Sequence, residues 1–455
     1  MKKIASILKN KEIMNRILFT ILILFVFRIG AQITVPGVTL GDNIQNYLDS
    51  SYALSLMNLL GGGTLQSFSI FALGVSPYIT AQIIVELLSS DVLPALTELK
   101  RQGQSGRKKM DLATRYLTLM LGAVQAYGII KTMESADAGT ITFAVSKYAW
   151  LTYIYIIVVM MAGCMIVMWL GDQISVKGIG NGISMIIFAG IVCSLPSQIG
   201  NAFTLWVGNT ALQGQGDSAR IAGLFKFLLY ILAYVLIISF VTFIELSKRK
   251  IPVQHSGKGG GQTQSMARAS FLPIKVNSAG VIPVIFASSI LMAPSVIMAF
   301  IDADAASNAK WLGIFQTSTM YDMGGWSMPW GLIIYLTLTI AFTFFYANVQ
   351  INPQQLAENF QKNGSYIPGI HTGNETERYV RKVLNRVTFI GAMALALIAA
   401  LPVVLTLTIF KDNPSLALGG TGLIIVVGVA LEINSQIDGL LAGKSFEEVV
   451  ASAGR

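Results

Sequence analysis

The stretch GGGTLQSFSIFALGVSPYITAQIIVELL, residues 61–88, decides how the rest of the chain is organised. Three glycines open it. Residues 64–71 then predict a short helix, because Leu65, Phe68 and Phe71 are each about one turn apart.

Gly74 and Pro77 interrupt the helix before a second apolar run, residues 78–88. A spanning helix needs ~20 apolar residues, and irregular backbone at membrane depth persists only inside protein or beside a wet cavity. The interruption therefore indicates a cavity or pore. An external loop followed by a tilted, proline-kinked helix explains these residues equally well.

Composition identifies the class of protein. The chain has 455 residues, of which 53% are hydrophobic and 12% are charged, and its mean hydropathy is +0.63. Ordinary globular domains carry roughly 25% charged residues. The apolar residues fall in blocks, so the sequence predicts an all-α polytopic membrane protein.

Ten apolar blocks predict ten membrane-spanning helices, and an even number puts both termini on one side of the membrane. Of the 32 basic residues, 25 fall in one set of loops and tails and 5 in the opposite set, which makes the first set cytoplasmic by the positive-inside rule. The stretch that begins at Gly61 then enters from the external side. The predicted spans are 17–35, 75–90, 116–130, 150–170, 183–199, 221–243, 279–301, 330–349, 387–410 and 416–433.

Five spans precede residues 201–220 and five follow them, which suggests two halves of opposite topology joined by an external hinge loop. Inverted halves are common in transporters, with the functional path between them. This division rests on topology alone, since the residues show no clear internal repeat. The predicted parts are an N-terminal half at 1–200 that includes 61–74, the hinge at 201–220, a C-terminal half at 221–433 and a cytoplasmic tail at 434–455.

Two cytoplasmic loops, 244–278 and 350–386, are unusually long and basic. Attraction to anionic lipids accounts for basic residues next to a membrane in general. It does not account for two long projecting loops, which are usually functional or disordered. We therefore favour a docking surface for an acidic partner, such as ribosomal RNA or a motor protein.

The sequence offers little catalytic chemistry, and we expect no enzyme activity and no cofactor. His255 and His371, the two histidines, both fall in predicted cytoplasmic loops, which leaves none within the spans for a serine–histidine pair or a zinc site. The ionisable groups predicted within spans are Arg28, Glu86, Lys226 and Glu432, and each could reach a span end with its side chain. They form no chain of acids for proton or sodium transport, which weakens the rival hypothesis of a secondary transporter. A scaffold without a conduit would leave residues 61–74 unexplained.

Several motifs in order along the chain resemble the bacterial SecY family, whose members are central subunits of the Sec protein-conducting channel. The resemblance covers nearly the whole chain, with the same number of spans and long loops in the same places. The matching motifs are FRIGAQITVPG at 27–37, the opening stretch from residue 61, MWLGDQISVKGIGNGISMIIFAGIV at 168–192, LPIKVNSAGVIPVIFASS at 272–289 and GGTGLIIVVGV at 419–429.

The resemblance implies a clamshell channel that narrows at a ring of aliphatic side chains below a plug helix. It also implies a lateral gate between the spans starting at residues 75 and 279, with the third and eighth spans flanking it. Gln125, in the third span, is either a polar gate residue or part of a helix–helix hydrogen bond. The implied ring is Val75, Ile79, Ile183, Ile187, Ile285 and Ile425; the plug is Thr64, Leu65, Phe68, Ile70 and Phe71; the gate residues are Gln125, Ser288 and Ser289.

The family further implies a heterotrimer with SecE and SecG in the bacterial plasma membrane, and a SecA ATPase or translating ribosome on the cytoplasmic face. Signal-sequence-bearing polypeptides and anionic lipids complete the expected partners. The loop tip PGIHTG, 368–373, departs from the family pattern PGxRPG, so His371 replaces an arginine that matters for engaging the motor ATPase. The predicted docking residues are Lys248, Arg249, Lys250, His371, Arg378, Arg381 and Lys382.

Overall fold

A computed structural model provides the structure of the chain. It describes residues 10–41, 58, 61–89, 94–102, 104–135, 141–143, 149–208, 217–255, 270–301, 310–315, 321–322, 327–408 and 419–453. Residues 256–269, at the tip of the first long loop, and residues 209–216 of the predicted hinge loop lie outside the described residues.

Each of the ten predicted spans overlaps one α-helix, so the expectation of an all-α polytopic protein is confirmed. Two short helices, α3 and α10, lie on the predicted cytoplasmic side. The helices are α1 (Lys11–Gly30), α2 (Ser76–Leu88), α3 (Pro94–Arg101), α4 (Gln104–Ser135), α5 (Ala149–Lys177), α6 (Gly182–Phe203), α7 (Asp217–Leu246), α8 (Ile282–Ile301), α9 (Trp330–Gln350), α10 (Pro353–Lys362), α11 (Asn374–Thr408) and α12 (Gly419–Ala453). Seven of the described helices are long and apolar enough to cross a membrane, and α2 and the first half of α8 are shorter apolar helices.

Local chemistry explains where several helices begin. The side chains of Asn10 and Asn181 precede α1 and α6 and accept hydrogen bonds from backbone N–H groups of the first turn. Each bond satisfies a donor that has no partner inside the helix. Pro77 lies in the first turn of α2, where a missing N–H costs nothing.

The predicted short helix at 64–71 is wrong. Residues 64–75 form consecutive turns, and an isolated β-bridge joins Ser69 to Thr34. The backbone of this segment bonds outward: the Val35 N–H donates to the Phe68 carbonyl at 3.0 Å, and the Ile70 N–H donates to the Ile33 carbonyl at 3.0 Å. Since these groups are satisfied by the chain after α1, a local helix would have to give up those bonds.

The helices from the two predicted halves meet along two seams. In one seam α4 packs against α8, which also reaches α2; in the other, α6 packs against α12. Within the second half, α9 lies between α8 and α11, and α12 packs against α7 and α11. The Gly180 N–H, just before α6, donates to Oε1 of Gln436 in α12 at 2.8 Å and ties the second seam near its predicted cytoplasmic end.

The two long loops that are predicted to be cytoplasmic build one structure. Strands β3 (Lys248–His255) and β4 (Ser270–Lys275) form an antiparallel hairpin, and β7 (Ser365–Tyr366), from the other loop, adds to the β3 edge. Side chains of α11 pack on the hairpin in a small apolar cluster centred on Ile251, Ile274, Ile367, Val380 and Leu384. The remaining short strands are β1 (Val38–Leu40), paired with β2 (Ile141–Phe143), and β5 (Tyr321–Asp322), paired with β6 (Ser327–Met328).

Candidate functional site

The six aliphatic residues of the expected ring lie in one hydrophobic cluster. Val75, Ile79, Ile187 and Ile425 are buried in it, and the partly buried side chains of Ile183 and Ile285 pack against it. They come from the start of α2 and from α6, α8 and α12, so both predicted halves contribute. Leu65, Phe68 and Phe71 are buried in the same cluster, and Ile70 packs against it.

The chemistry of this cluster is uniform. Ile183 and Ile187 are one helical turn apart on α6, and Val75 and Ile79 have the same spacing at the start of α2, so each pair shares a face. None of these side chains carries a charge or a hydrogen-bonding group. A constriction lined this way can exclude water and ions, and it has nothing with which to bind one particular polar solute.

Residues 61–74, which we name the plug segment, are fastened to the end of α1. Nη1 of Arg28 donates a 2.8 Å hydrogen bond to the Gly62 carbonyl, and the Ser67 hydroxyl donates to the Ala31 carbonyl at 2.9 Å. The rings of Phe27 and Phe71 stack with their centroids 5.9 Å apart. Its position allows Arg28 to reach the outer span end, and in the structure its guanidinium holds the glycine-rich turn.

The predicted plug residue Thr64 is fully buried, and its hydroxyl donates to the Gly61 carbonyl at 3.1 Å. The hydroxyl therefore closes the first turn of the plug segment from inside. A buried hydroxyl without a hydrogen-bond partner is costly, so this bond explains why a threonine is tolerated among the apolar side chains of the plug segment.

Three glycines on neighbouring helices let the plug segment approach closely. A Cβ on Gly190 of α6 would lie 2.5 Å from the Cα of Gly62, and a Cβ on Gly163 of α5 would lie 2.0 Å from the Ile70 carbonyl oxygen. A Cβ on Gly30 of α1 would lie 2.2 Å from the Phe71 ring. The surface that receives the plug segment is therefore shaped by glycines on three helices. The sequence alone did not single out Gly163 or Gly190, because each is only a small residue within a predicted span.

The expected lateral-gate residues do not bond to one another. The hydroxyls of Ser288 and Ser289 both donate to the Ile285 carbonyl of their own helix, at 2.8 and 2.9 Å. The buried Oε1 of Gln125 accepts no hydrogen bond within the part of the chain that the structure describes. Both predictions for Gln125, a polar gate residue or part of a helix–helix hydrogen bond, stay predictions.

A polar contact between α2 and α9 was missed by sequence reasoning. The Tyr346 hydroxyl donates to Oε2 of Glu86 at 3.1 Å. The sequence marked Glu86 as an ionisable group near a span end, but nothing in the pattern pointed to a partner 260 residues away. Phe286 of α8 meets the Tyr346 ring edge to face, with centroids 5.7 Å apart.

The predicted docking residues lie in the layer formed by the two long loops. All seven are exposed: Lys248, Arg249 and Lys250 on β3, His371 in the turn before α11, and Arg378, Arg381 and Lys382 in the first turns of α11. Nη2 of Arg381 donates to Oε1 of Glu377 at 2.7 Å, so part of this charge is already paired. Residues 377–386 are helical and belong to α11, which continues into the ninth predicted span.

Comparison with known proteins establishes the family. The SecY family model matches residues 69–434. The protein translocase subunit SecY of Mycoplasma capricolum is 42% identical over 98% of this chain and 91% of its own length, and that of Lactococcus lactis is 41% identical over 98% and 97%. A solved SecY structure superimposes on this chain with a TM-score of 0.61 at 18% identity, and the match covers 94% of this chain and 92% of the solved one. That structure is described as showing that the plug domain stabilises the closed state of the translocation channel. This chain is a multi-pass membrane protein that belongs to the SecY family.

Proposed function

We propose that this chain is the channel-forming subunit of a protein translocase that conducts unfolded secretory polypeptides across the bacterial plasma membrane. Apolar spans leave through the side of the same channel into the lipid. The observation that carries the proposal is the aliphatic cluster, in which side chains from both halves of the protein pack together with the plug segment. The family membership supports the same conclusion.

The proposed conduit is passive. An aliphatic ring can fit loosely around any polypeptide, because it offers no group that would hold a particular side chain in transit. The plug segment covers the ring while the channel is idle. A signal sequence or apolar span that reaches the parted gate partitions into lipid, driven by about 0.8 kcal/mol per buried CH₂.

The rival function, small-solute transport, calls for a few convergent polar groups near the middle of the membrane. Instead, the aliphatic cluster at the proposed constriction contains Val75, five isoleucines and the apolar residues of the plug segment. These side chains provide no site for a sodium ion or a polar substrate, so the polypeptide channel is the better explanation of the geometry.

Both termini face the cytoplasm in our proposal, and SecE and SecG complete the heterotrimer. The exposed basic residues on β3 and α11 would dock a SecA ATPase or a translating ribosome, with anionic lipid nearby. We propose that His371 weakens but does not abolish motor coupling, because imidazole cannot make the forked contact of an arginine guanidinium. A His371→Arg variant should then translocate faster with ATP, and equal rates for the two proteins would contradict this.

Site-specific crosslinking tests the conduit. A photo-crosslinking residue replaces Ile187 or Ile425 in reconstituted vesicles, and a secretory precursor is stalled at successive lengths. We expect adducts at both positions as the precursor moves through. Ile221 of α7, which is 68% exposed, is the control position and should give adducts with lipid only. If a stalled precursor gives no adducts at either ring position in folded protein, the conduit assignment fails.

A further inference from the structure

The residues between β4 and α8 join two parts of the protein that have different proposed roles. Strands β3 and β4 form the hairpin that carries part of the exposed basic surface, and α8 is a helix of the proposed lateral gate. Residues 276–281, which we name the connecting turn, lead directly from the hairpin to α8. At the other strand of the hairpin, a single residue separates the end of α7 from β3.

The connecting turn has one point at which it could bend. Gly280 has φ +66°, in the left-handed region, and no atom of the described residues lies within 4 Å of the position that a Cβ would take there. A glycine with free space around it can change its backbone angles at little cost. Movement of the hairpin would therefore reach α8 only if other contacts hold the turn across this glycine.

The side chain of Asn277 makes those contacts. Its Nδ2 donates to Oε1 of Glu245, in the last turn of α7, at 2.5 Å, and to the Gly280 carbonyl at 3.0 Å. Glu245 is half-buried and Asn277 is 2% exposed, and Lys275 is near enough to attract the carboxylate. A hydrogen bond to an ionised acceptor is stronger than one between neutral groups. One amide group therefore ties the turn to α7 and spans the glycine at the same time.

Backbone contacts hold the beginning of the connecting turn on two further sides. The Val276 N–H donates to the Ser247 carbonyl at 2.9 Å, which closes the base of the hairpin beside α7. A Cβ on Gly391 of α11 would lie 2.3 Å from the Val276 carbonyl oxygen, so α11 approaches the turn closely. The first turns of α11 also pack on the hairpin in the small apolar cluster described above. The hairpin, the end of α7 and α11 therefore form one unit, and Asn277 extends this unit toward α8.

Stability alone is a poor explanation for an asparagine at this place. The Oδ1 of Asn277 is buried and accepts no hydrogen bond within the part of the chain that the structure describes. A buried polar atom without a partner costs free energy, which an apolar side chain in the same space would avoid. An apolar side chain could not, however, donate to Glu245 and to the Gly280 carbonyl. The two bonds that the amide donates are thus its distinctive contribution.

We propose that Glu245 and Asn277 are positioning residues that make α8 follow the hairpin when a partner docks there. With their hydrogen bond intact, a displacement of the hairpin moves α7, the connecting turn and the first turn of α8 together, and the contact between α4 and α8 changes. Without the bond, the turn bends at Gly280 and α8 keeps its place against α4. This proposal rests on the docking surface and the lateral gate of the proposed function.

Three variants test the contact between Glu245 and Asn277, and a fourth is the matched control. Glu245→Met removes the acceptor at similar side-chain length, and Asn277→Leu removes the donor at similar volume. Glu245→Gln keeps an oxygen that can accept and adds an N–H for the unpartnered Oδ1 of Asn277, so it should preserve the contact. Ser278→Ala is the control, because it removes a 2.7 Å hydrogen bond from the Ser278 hydroxyl to the Lys275 carbonyl within the same turn and leaves Glu245 untouched.

Distances between pairs of spin labels measure how α8 moves. The protein is reconstituted with SecE and SecG, and the exposed Cys193 is replaced by serine so that labels attach only where they are wanted. One pair, at Ile290 of α8 and Met120 of α4, reports on the gate. A second pair, at Ile290 and at Leu236 of α7, reports whether α8 keeps its place beside α7. All three labelled positions are exposed. Each distance is measured before and after binding of SecA with a non-hydrolysable ATP analogue.

In the unaltered protein, in Ser278→Ala and in Glu245→Gln, SecA should shift the distance between α4 and α8 and leave the distance between α7 and α8 narrowly distributed. Loss of a hydrogen bond to a charged group changes the equilibrium between the held and the released turn by roughly 10- to 100-fold. Glu245→Met and Asn277→Leu should therefore lose most of the shift between α4 and α8. Their distances between α7 and α8 should broaden even without SecA, while SecA binds them with unchanged affinity.

The proposal is overturned if Glu245→Met, shown to be folded by thermal unfolding, gives the same shift between α4 and α8 as Ser278→Ala, or if Glu245→Gln behaves like Glu245→Met. It is also overturned if SecA binds the unaltered protein and α8 does not move. Failure of SecA to bind the unaltered protein would refute the docking surface instead. The distance between α7 and α8, which needs no partner, would then still decide whether Glu245 and Asn277 hold the turn.

Discussion

Replacing Gly190 by alanine should unseat the plug segment. The added Cβ would lie 2.5 Å from the Cα of Gly62, whereas ordinary contacts of a Cβ begin near 3.4 Å. Gly62 has φ +77° and lies in a turn held by Arg28, so the obstruction is backbone and cannot swing away. The segment must therefore move outward by about 1 Å or leave its seat.

The magnitude follows from the cost of forcing an atom into a packed contact. Overpacking of this kind costs about 1–3 kcal/mol, which corresponds to a 5- to 150-fold shift between the seated and unseated states. We expect the ion conductance of planar bilayers that contain the reconstituted channel, or the release of a small dye from vesicles, to rise within that range in the absence of precursor.

A matched control lies on the same helix. Gly200 of α6 has no atom within 4 Å of the position its Cβ would take. Gly200→Ala gains the same intrinsic helix propensity, about 1 kcal/mol, without touching the plug segment, so its conductance should equal that of the unaltered protein. The reasoning is refuted if Gly190→Ala folds and conducts no more than Gly200→Ala.

Three further substitutions probe the plug segment, the aliphatic cluster and the contact between α1 and the turn before α6. Arg28→Met removes the donor to the Gly62 carbonyl. Because a hydrogen bond to a charged group contributes about 1.5–3 kcal/mol, the ion conductance without precursor should rise at least tenfold. An unchanged conductance would contradict the role of the guanidinium. Ile187→Asn places an amide in the aliphatic cluster and should raise ion flux while precursor transport continues, as measured by paired conductance and transport assays. The Ile179 N–H donates to the Thr20 hydroxyl at 3.1 Å, so Thr20→Val leaves this N–H without its acceptor. Thermal unfolding should reveal that the free energy of unfolding falls by about 1–3 kcal/mol. An unchanged free energy of unfolding would show that another acceptor takes over.

The apolar blocks predicted the existence of all ten membrane helices, but they did not predict their ends. α11 begins at Asn374, thirteen residues before the predicted span. The outer face of its first turns is polar and charged, while Val380 and Leu384 pack on the β3–β4 hairpin. A hydropathy pattern detects the apolar part of a helix that faces lipid. It does not detect the amphipathic turns by which the same helix extends beyond the membrane and packs on other parts of the protein.

The error at the plug segment has a different cause. The spacing of Leu65, Phe68 and Phe71 does bring these side chains into one cluster, as a helix would. The backbone, however, is satisfied by carbonyl and N–H groups at Ile33 and Val35, about thirty-five residues earlier in the chain. A local pattern cannot reveal a distant hydrogen-bond partner, so turns and a helix were indistinguishable at this point.

The ring residues mark the limit of reasoning from single residues. An isoleucine in a membrane helix is usually ordinary packing, so neither Ile187 nor Ile425 could be selected without a resemblance to a family. The structure adds that these residues share a cluster and come from different halves of the chain. That fact is independent of the resemblance, because it concerns which helices contact one another.

The two proposed seals of the channel are built from different parts of the protein. The hydrogen bonds and glycine contacts of the plug segment described above go to α1, to the residues just after it, and to α5 and α6, which all belong to the N-terminal half. The aliphatic ring, in contrast, needs Ile285 and Ile425 from the other half. Parting the halves at α2 and α8 would therefore open the ring without breaking any of those plug contacts. The aliphatic ring, which needs both halves, would therefore open when the gate opens. The plug segment, whose hydrogen bonds and glycine contacts lie within one half, must be displaced by the polypeptide itself.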